Sequence, residues 1–166
     1  MLKIWRNISS RWLYLAGAFI VLILFGTALY LQYVLREDPC PLCMVQRLIF
    51  IAMGVIFLIA AVHKTGRIGN WIYSSLIALT ALGGVAVASR HIWIQHLPKD
   101  QLPACGPGLD FMLKHFPMAE VWQELMHGSG ECAAKGWTFL GLDLPELALI
   151  GYVVLGAWAV VIALKK

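Results

Sequence analysis

The chain reads as an all-α membrane protein: a four-transmembrane-helix bundle with a long outer loop that carries a short interfacial amphipathic helix. Three observations predict this. The composition is 60% hydrophobic and 13% charged, against about 45–50% apolar and about 25% charged in soluble domains. The apolar residues gather into four stretches nearly free of charge. The charges outside those stretches divide unequally between the two sides that four crossings create. At 166 residues the chain is a single membrane domain, 1–166.

About 20 mostly apolar residues cross the hydrocarbon core as a helix. Trp12 to Leu35 carries no charge and sets the first span at about 13–35. A cleaved signal sequence is the competing reading, but its apolar region runs only about 7–15 residues and ends at a small-residue site. This stretch is longer and meets Arg36-Glu37-Asp38 with no A-x-A pattern, so it is expected to remain as a helix. Leu48 to Val62, extended back through Arg47, Gln46 and Met44, gives a second span at about 42–62. Uncharged runs from Ile68 to Ser89 and from Leu147 to Leu164 give the third and fourth, at about 68–89 and 146–164. Outer loops then fall at about 36–41 and 90–145, and an inner turn at 63–67.

Four spans put both termini and the inner turn on one side. That side carries Lys3, Arg6, Arg11, Lys64, Arg67, Lys165 and Lys166 and no acid. The other side carries all nine acids against Arg36, Arg47, Arg90, Lys99, Lys114 and Lys135. Lys and Arg are retained on the cytoplasmic face, so both termini are expected there. The net charge of +4 therefore reflects topology, and no nucleic-acid partner is expected.

All four cysteines fall on the outer side, Cys40 and Cys43 in the first loop and Cys105 and Cys132 in the second. The outer compartment of a bacterial cell permits disulfides, whereas the cytoplasm keeps thiols reduced. The chemistry implied is either a changing set of disulfides or two static structural staples. Cys40-Pro41-Leu42-Cys43 is a C-x-x-C pair, which suits redox chemistry or a metal. A structural zinc wants four ligands, often from a second close pair, and Cys105 and Cys132 stand far apart with His115 and His127 between them. Pro41 inside the pair, and the pair's place at the start of a membrane helix, argue against metal. No bound metal is expected. A soluble thioredoxin needs a βαβ pattern, which is absent from the sequence.

Proline suits the first position of a helix, where its missing N–H leaves nothing unpaired. With Pro41 there, Cys40 is the N-cap and Cys43 lies in the first turn, where the helix dipole and free N–H groups favour a thiolate. Arg47 follows four residues after Cys43, on the same face one turn deeper. It either supports that thiolate and meets a polar headgroup from the lipid, or simply snorkels to the interface. In the second loop Cys105 precedes Gly106-Pro107-Gly108, a segment expected to be flexible and open to a partner protein. Met118, Val121, Trp122, Leu125 and Met126 recur at helical spacing, with Glu120, Gln123 and Glu124 opposite. That helix is too short to span and is expected in the outer interface, with Trp122 at headgroup level.

Four spans, a C-P-L-C pair opening the second with Arg four residues on, and two further cysteines in the second outer loop resemble the DsbB family. The run Gly130-Glu131-Cys132-Ala133, followed by Trp137-Thr138-Phe139-Leu140-Gly141-Leu142, is similar to that family's segment after its last cysteine. The resemblance implies a bacterial inner-membrane thiol oxidoreductase that reoxidises a periplasmic thioredoxin-like oxidase (DsbA-like) and passes the electrons to ubiquinone or menaquinone. It implies that Cys105 meets the partner's thiolate, that Cys132 then engages Cys40, and that Cys43 faces the quinone. Arg47 would hold the quinone ring oxygen. His91, at the outer end of the third span, is either a second quinone contact or an interfacial histidine without a role. Resting pairs of Cys40–Cys43 with Cys105–Cys132, or a Cys40–Cys132 bond, both remain open. A vitamin K epoxyquinone-reductase-like protein is a third class, but it carries its C-x-x-C on a later helix.

Overall fold

A computed structural model describes residues 9–37, 39–63, 66–98, 101, 109–128, 130–134 and 136–165. Four long helices dominate it: α1 (Ser10–Tyr33), α2 (Pro41–Val62), α3 (Arg67–Gln95) and, last in the chain, α6 (Leu144–Leu164). Each is long and apolar enough to cross a membrane. The loop before α6 holds α4 (Leu109–His115), α5 (Met118–His127), a 3-10 turn (Gly130–Ala133), and a two-stranded hairpin of β1 (Thr138–Phe139) and β2 (Leu142–Asp143).

The long helices are apolar on all sides, and residues such as Leu22, Leu79 and Val153 stay exposed, as expected of a surface that faces lipid. Inside the bundle, Tyr14, Met53, Phe57, Ile77, Tyr152 and Leu155 form the core. Helix contact in lipid depends on small residues that let backbones approach. Gly84 supplies one such point: a Cβ there would lie 2.5 Å from the Tyr152 ring. That close approach lies where α3 packs along α6.

Two boundaries differ from the sequence expectation. α3 runs on through Arg90 to Gln95, so this stretch is helix and not loop. The charge of Arg90 is carried over the Trp93 ring, 4.7 Å from its centroid, and the helix stops short of Pro98, which disfavours helical backbone before it. The second loop also holds more structure than one amphipathic helix. α5 turns Val121 and Leu125 inward and leaves Met118 and Trp122 exposed. The hairpin turns through Leu140 and Gly141, both at positive φ, the two-residue turn that matches strand twist. It delivers Asp143 as N-cap of α6, in a capping box where the Asp143 N–H donates to Glu146 Oε2 at 2.9 Å. That box satisfies two of the helix's free donors.

Candidate functional site

Pro41 does stand at the start of α2, with Cys40 as N-cap in extended conformation. The Cys40 thiol makes no capping bond, so the first-turn N–H groups stay available. Cys40 is buried, Cys43 is half-buried, and their Sγ atoms lie 3.3 Å apart as free thiols.

α3 brings His91 to this pair because it does not end at Ser89. The helix continues for six residues past Ser89 and carries the ring inward, where it is only 2% exposed. His91 Nε2 is 3.7 Å from Cys40 Sγ and Nδ1 is 4.0 Å from Cys43 Sγ. The Gln46 side-chain amide meets the same nitrogen as Cys43, 3.5 Å from Nδ1. The Tyr152 hydroxyl in turn donates to the Gln46 carbonyl at 2.7 Å, which ties α6 to the turn beneath the cysteines.

Cys132 arrives from the far end of the loop, and one glycine admits it. Gly128 has φ +77, and a Cβ there would meet Ile94 at 2.7 Å and Leu42 at 2.9 Å. Only glycine takes that backbone in that space. The chain beyond it settles on α2 and α3, and Cys132 is fully buried in one cluster with Cys40, Leu42, Val45 and Ile94. The Leu42 N–H, free in the first turn of α2, is directed at the Cys132 sulfur. A hydrogen bond with Cys40 first, and burial second, nevertheless push the Cys132 thiol well above the usual range. The sulfur of Cys40 has two sulfur neighbours, Cys43 on its own helix and Cys132 from the loop.

Arg47 lies a turn below the pair but reaches sideways to α1. Its guanidinium donates to Gln32 Oε1 and, at 3.1 Å, to the Ala28 carbonyl. Both Arg47 and the cysteine pair line one cavity of about 560 Å³ between α1, α2 and α6. Its walls are apolar, with Leu24, Phe25, Phe50, Leu147 and Val154 among them. Its polar groups are few: Thr27, Gln46, Arg47, His91 and Gln95, with Glu37 and Glu131, besides the cysteine pair. That is the make-up of a small-molecule site, apolar with a few orienting groups.

Of the residues singled out in the sequence, Cys40, Cys43, Cys132 and His91 come together, and Arg47 joins them along the cavity. Cys105 lies outside the described residues. Sequence reasoning passed over Gln46, Gly128, Glu37, Glu131 and Trp137, which touch the site or line the cavity. Gln46 alone left a signal, as an amide one turn from a cysteine on an otherwise apolar helix. The donor atoms of Cys40, Cys43 and His91 all lie within 4.8 Å of one another, three of the four ligands that a structural zinc requires.

A family model described as "Disulfide bond formation protein DsbB" matches residues 10–162. The chain is 46% identical to Disulfide bond formation protein B of Hahella chejuensis, over 88% of this chain and 88% of that protein. It is 42% identical to Disulfide bond formation protein B of Nitrosococcus oceani, over 90% of this chain and 89% of the relative. Against Disulfide bond formation protein B 1 of Pseudomonas aeruginosa the identity is 41%, over 95% and 97% of the two chains.

Proposed function

The chain belongs to the DsbB family, and from that premise we propose that it is a quinone-linked thiol oxidase of the bacterial inner membrane. In this reading it reoxidises a DsbA-like protein, both termini are cytoplasmic, and the cysteines face the periplasm. The observation that carries it is the position of Cys40 between two possible sulfur partners beside an apolar cavity. A static staple needs one fixed partner per sulfur, whereas a relay needs one sulfur that can change partner.

Exchange requires a thiolate aimed along a disulfide and access to the right sulfur. The partner's thiolate attacks Cys105 of a Cys105–Cys132 bond, forms a mixed disulfide and frees Cys132. The partner's second thiolate then attacks its own sulfur in that mixed disulfide and leaves as a disulfide, and Cys105 is released as a thiol. Cys132, already packed on Cys40, attacks Cys40 of the Cys40–Cys43 bond and frees Cys43. Cys43 is then the thiolate at the first turn of α2, where free N–H groups and the helix dipole favour its charge. Attack by Cys105 on Cys132 restores the loop disulfide and returns an electron pair to Cys40 and Cys43. Two electrons and two protons have then left the partner dithiol for the C-x-x-C pair.

The fit of a quinone rests on the cavity: apolar walls for a flat ring and tail, and few polar groups to meet two carbonyl oxygens. When bound, the quinone supplies the terminal two-electron acceptor. Arg47 offers cationic donors to a ring oxygen beside Cys43, and Gln46 fixes the His91 ring against the pair. Such an acceptor is needed, since DsbA is itself strongly oxidising at about −120 mV. The test is quinone reduction by the purified protein supplied with a reduced dithiol partner. Turnover that requires all four cysteines, with a partner adduct on Cys105 trapped in Cys132→Ser, is the expected result. No adduct and no turnover would leave two static disulfides as the reading.

A further inference from the structure

From the donor geometry we infer that reduced Cys40 and Cys43, together with His91, form a capture site for a soft divalent cation such as Zn²⁺, open only while the pair is reduced. This goes beyond the oxidase reading and does not depend on it, because the argument uses only the donor atoms and their surroundings.

Zinc binds thiolate at about 2.3 Å and imidazole at about 2.0–2.1 Å in a tetrahedron, which spaces two sulfurs about 3.8 Å apart and sulfur from nitrogen about 3.6 Å apart. The observed separations are 3.3 Å between the sulfurs and 3.7 Å from Cys40 Sγ to His91 Nε2. The sulfurs need to part by about half an ångström, and Cys43 Sγ, which lies 4.0 Å from Nδ1, has to swing toward Nε2 to share the ion. The fourth position opens on the cavity that all three residues line, which leaves it for solvent. A three-ligand zinc with one open position is the arrangement of exchangeable, rather than permanent, metal sites.

The surroundings favour the captured state electrostatically. Cys40 and His91 are buried, and Cys40 packs among Leu42, Val45, Val87, Ile94 and the Cys132 thiol. Two thiolates in such a shell are costly, whereas two thiolates with one divalent cation are neutral as a unit. Loading is balanced: two thiols and one cation give the bis-thiolate complex and two protons, with His91 neutral. Gln46 supports the third ligand from behind. Its amide sits 3.5 Å from Nδ1 and can turn its oxygen to accept the Nδ1 proton while Nε2 faces the metal.

The gate is the redox state. A Cys40–Cys43 or Cys40–Cys132 disulfide has no thiolate pair to offer, so two-electron oxidation by a quinone or by an added disulfide reagent, which takes the electron pair of the two thiolates, expels the ion. Hard cations are excluded, because Mg²⁺ and Ca²⁺ seek oxygen ligands.

Co²⁺ is the probe, titrated into the full chain in detergent with Cys105→Ser and Cys132→Ser present, so that only the C-x-x-C thiols remain. Expected in the reduced protein is a sulfur-to-cobalt charge-transfer band at one ion per chain, displaced by Zn²⁺ and untouched by Mg²⁺. After oxidation of Cys40 and Cys43 the band should vanish. Gln46→Leu should weaken Co²⁺ binding by about tenfold and His91→Ala by more. A reduced protein with no such band, or an oxidised protein that binds equally well, overturns the site. Unchanged affinity in His91→Ala, with circular dichroism confirming the fold, overturns the three-residue assignment.

Discussion

The two ends of this helical bundle bury polar groups in opposite ways. At the end that holds both chain termini, the Tyr14 hydroxyl lies 3.3 Å from the Asn70 carbonyl and from Ser74 Oγ. Asn70 Nδ2 donates to Ser10 at 3.0 Å, and Trp158 Nε1 donates to the Leu13 carbonyl at 3.0 Å. Those groups face one another, and the helices close over them. At the cysteine end, Cys40, Cys43, Gln46 and His91 touch one another and, with Arg47, also line a cavity. One end uses its hydrogen bonds to hold helices together. The other keeps its reactive atoms adjacent to a space something else can fill.

Breaking the comparison at its most sensitive point means removing Cys40. Cys40→Ser should reduce quinone-linked turnover to background while leaving helix content unchanged, because the sulfur shared by both neighbours is gone. Retained turnover would mean that the loop reaches Cys43 directly. Arg47→Ala comes next. Loss of a positioned cationic donor should slow quinone reduction by roughly hundredfold, whereas trapping of the partner on Cys105 should be unaffected. Equal loss in both assays would make Arg47 a fold determinant like the residues at the other end.

Gly128→Ala is expected to have a smaller effect. The added methyl meets Leu42 and Ile94 at a positive φ and costs about 1–3 kcal/mol. If that displaces Cys132 from Cys40, the bond between them should form about tenfold or more slowly, read by quenched alkylation after rapid mixing. The smallest change is Tyr14→Phe. It removes a hydroxyl from the closed end at about 1 kcal/mol and should lower the unfolding midpoint by about 2–4 °C without altering turnover. A loss of activity there would show that the two ends are coupled.

Much of this division was legible in the sequence because its causes are local. An unbroken apolar run specifies a span, and a proline after Cys40 specifies where α2 begins. Arg47 was visible as the cation four residues after Cys43 on the same helix. Its engagement with Gln32 and Ala28 was not, since nothing in α2 says which neighbour it will face. The continuation of α3 was hidden because Arg90 looks like the start of a loop until Trp93 is seen beneath its charge. The approach of Cys132 depends on Gly128 fitting between two other helices, a tertiary fact with no local period. Cys105, which the sequence assigns to the partner, lies outside the described residues, so its part stays with the proposal.

The bond from the Tyr152 hydroxyl to the Gln46 carbonyl has a consequence for biosynthesis. Residues of α6, from Leu144 to Val154, form one wall of the cavity, and they are synthesised after the other three spans. Until that span inserts and latches onto α2, the cysteine pair and His91 have been made but the chamber beside them lacks a side. Completion of the reactive compartment therefore waits on the synthesis of α6, and a chain arrested before Leu144 carries the thiols without the room in which to use them.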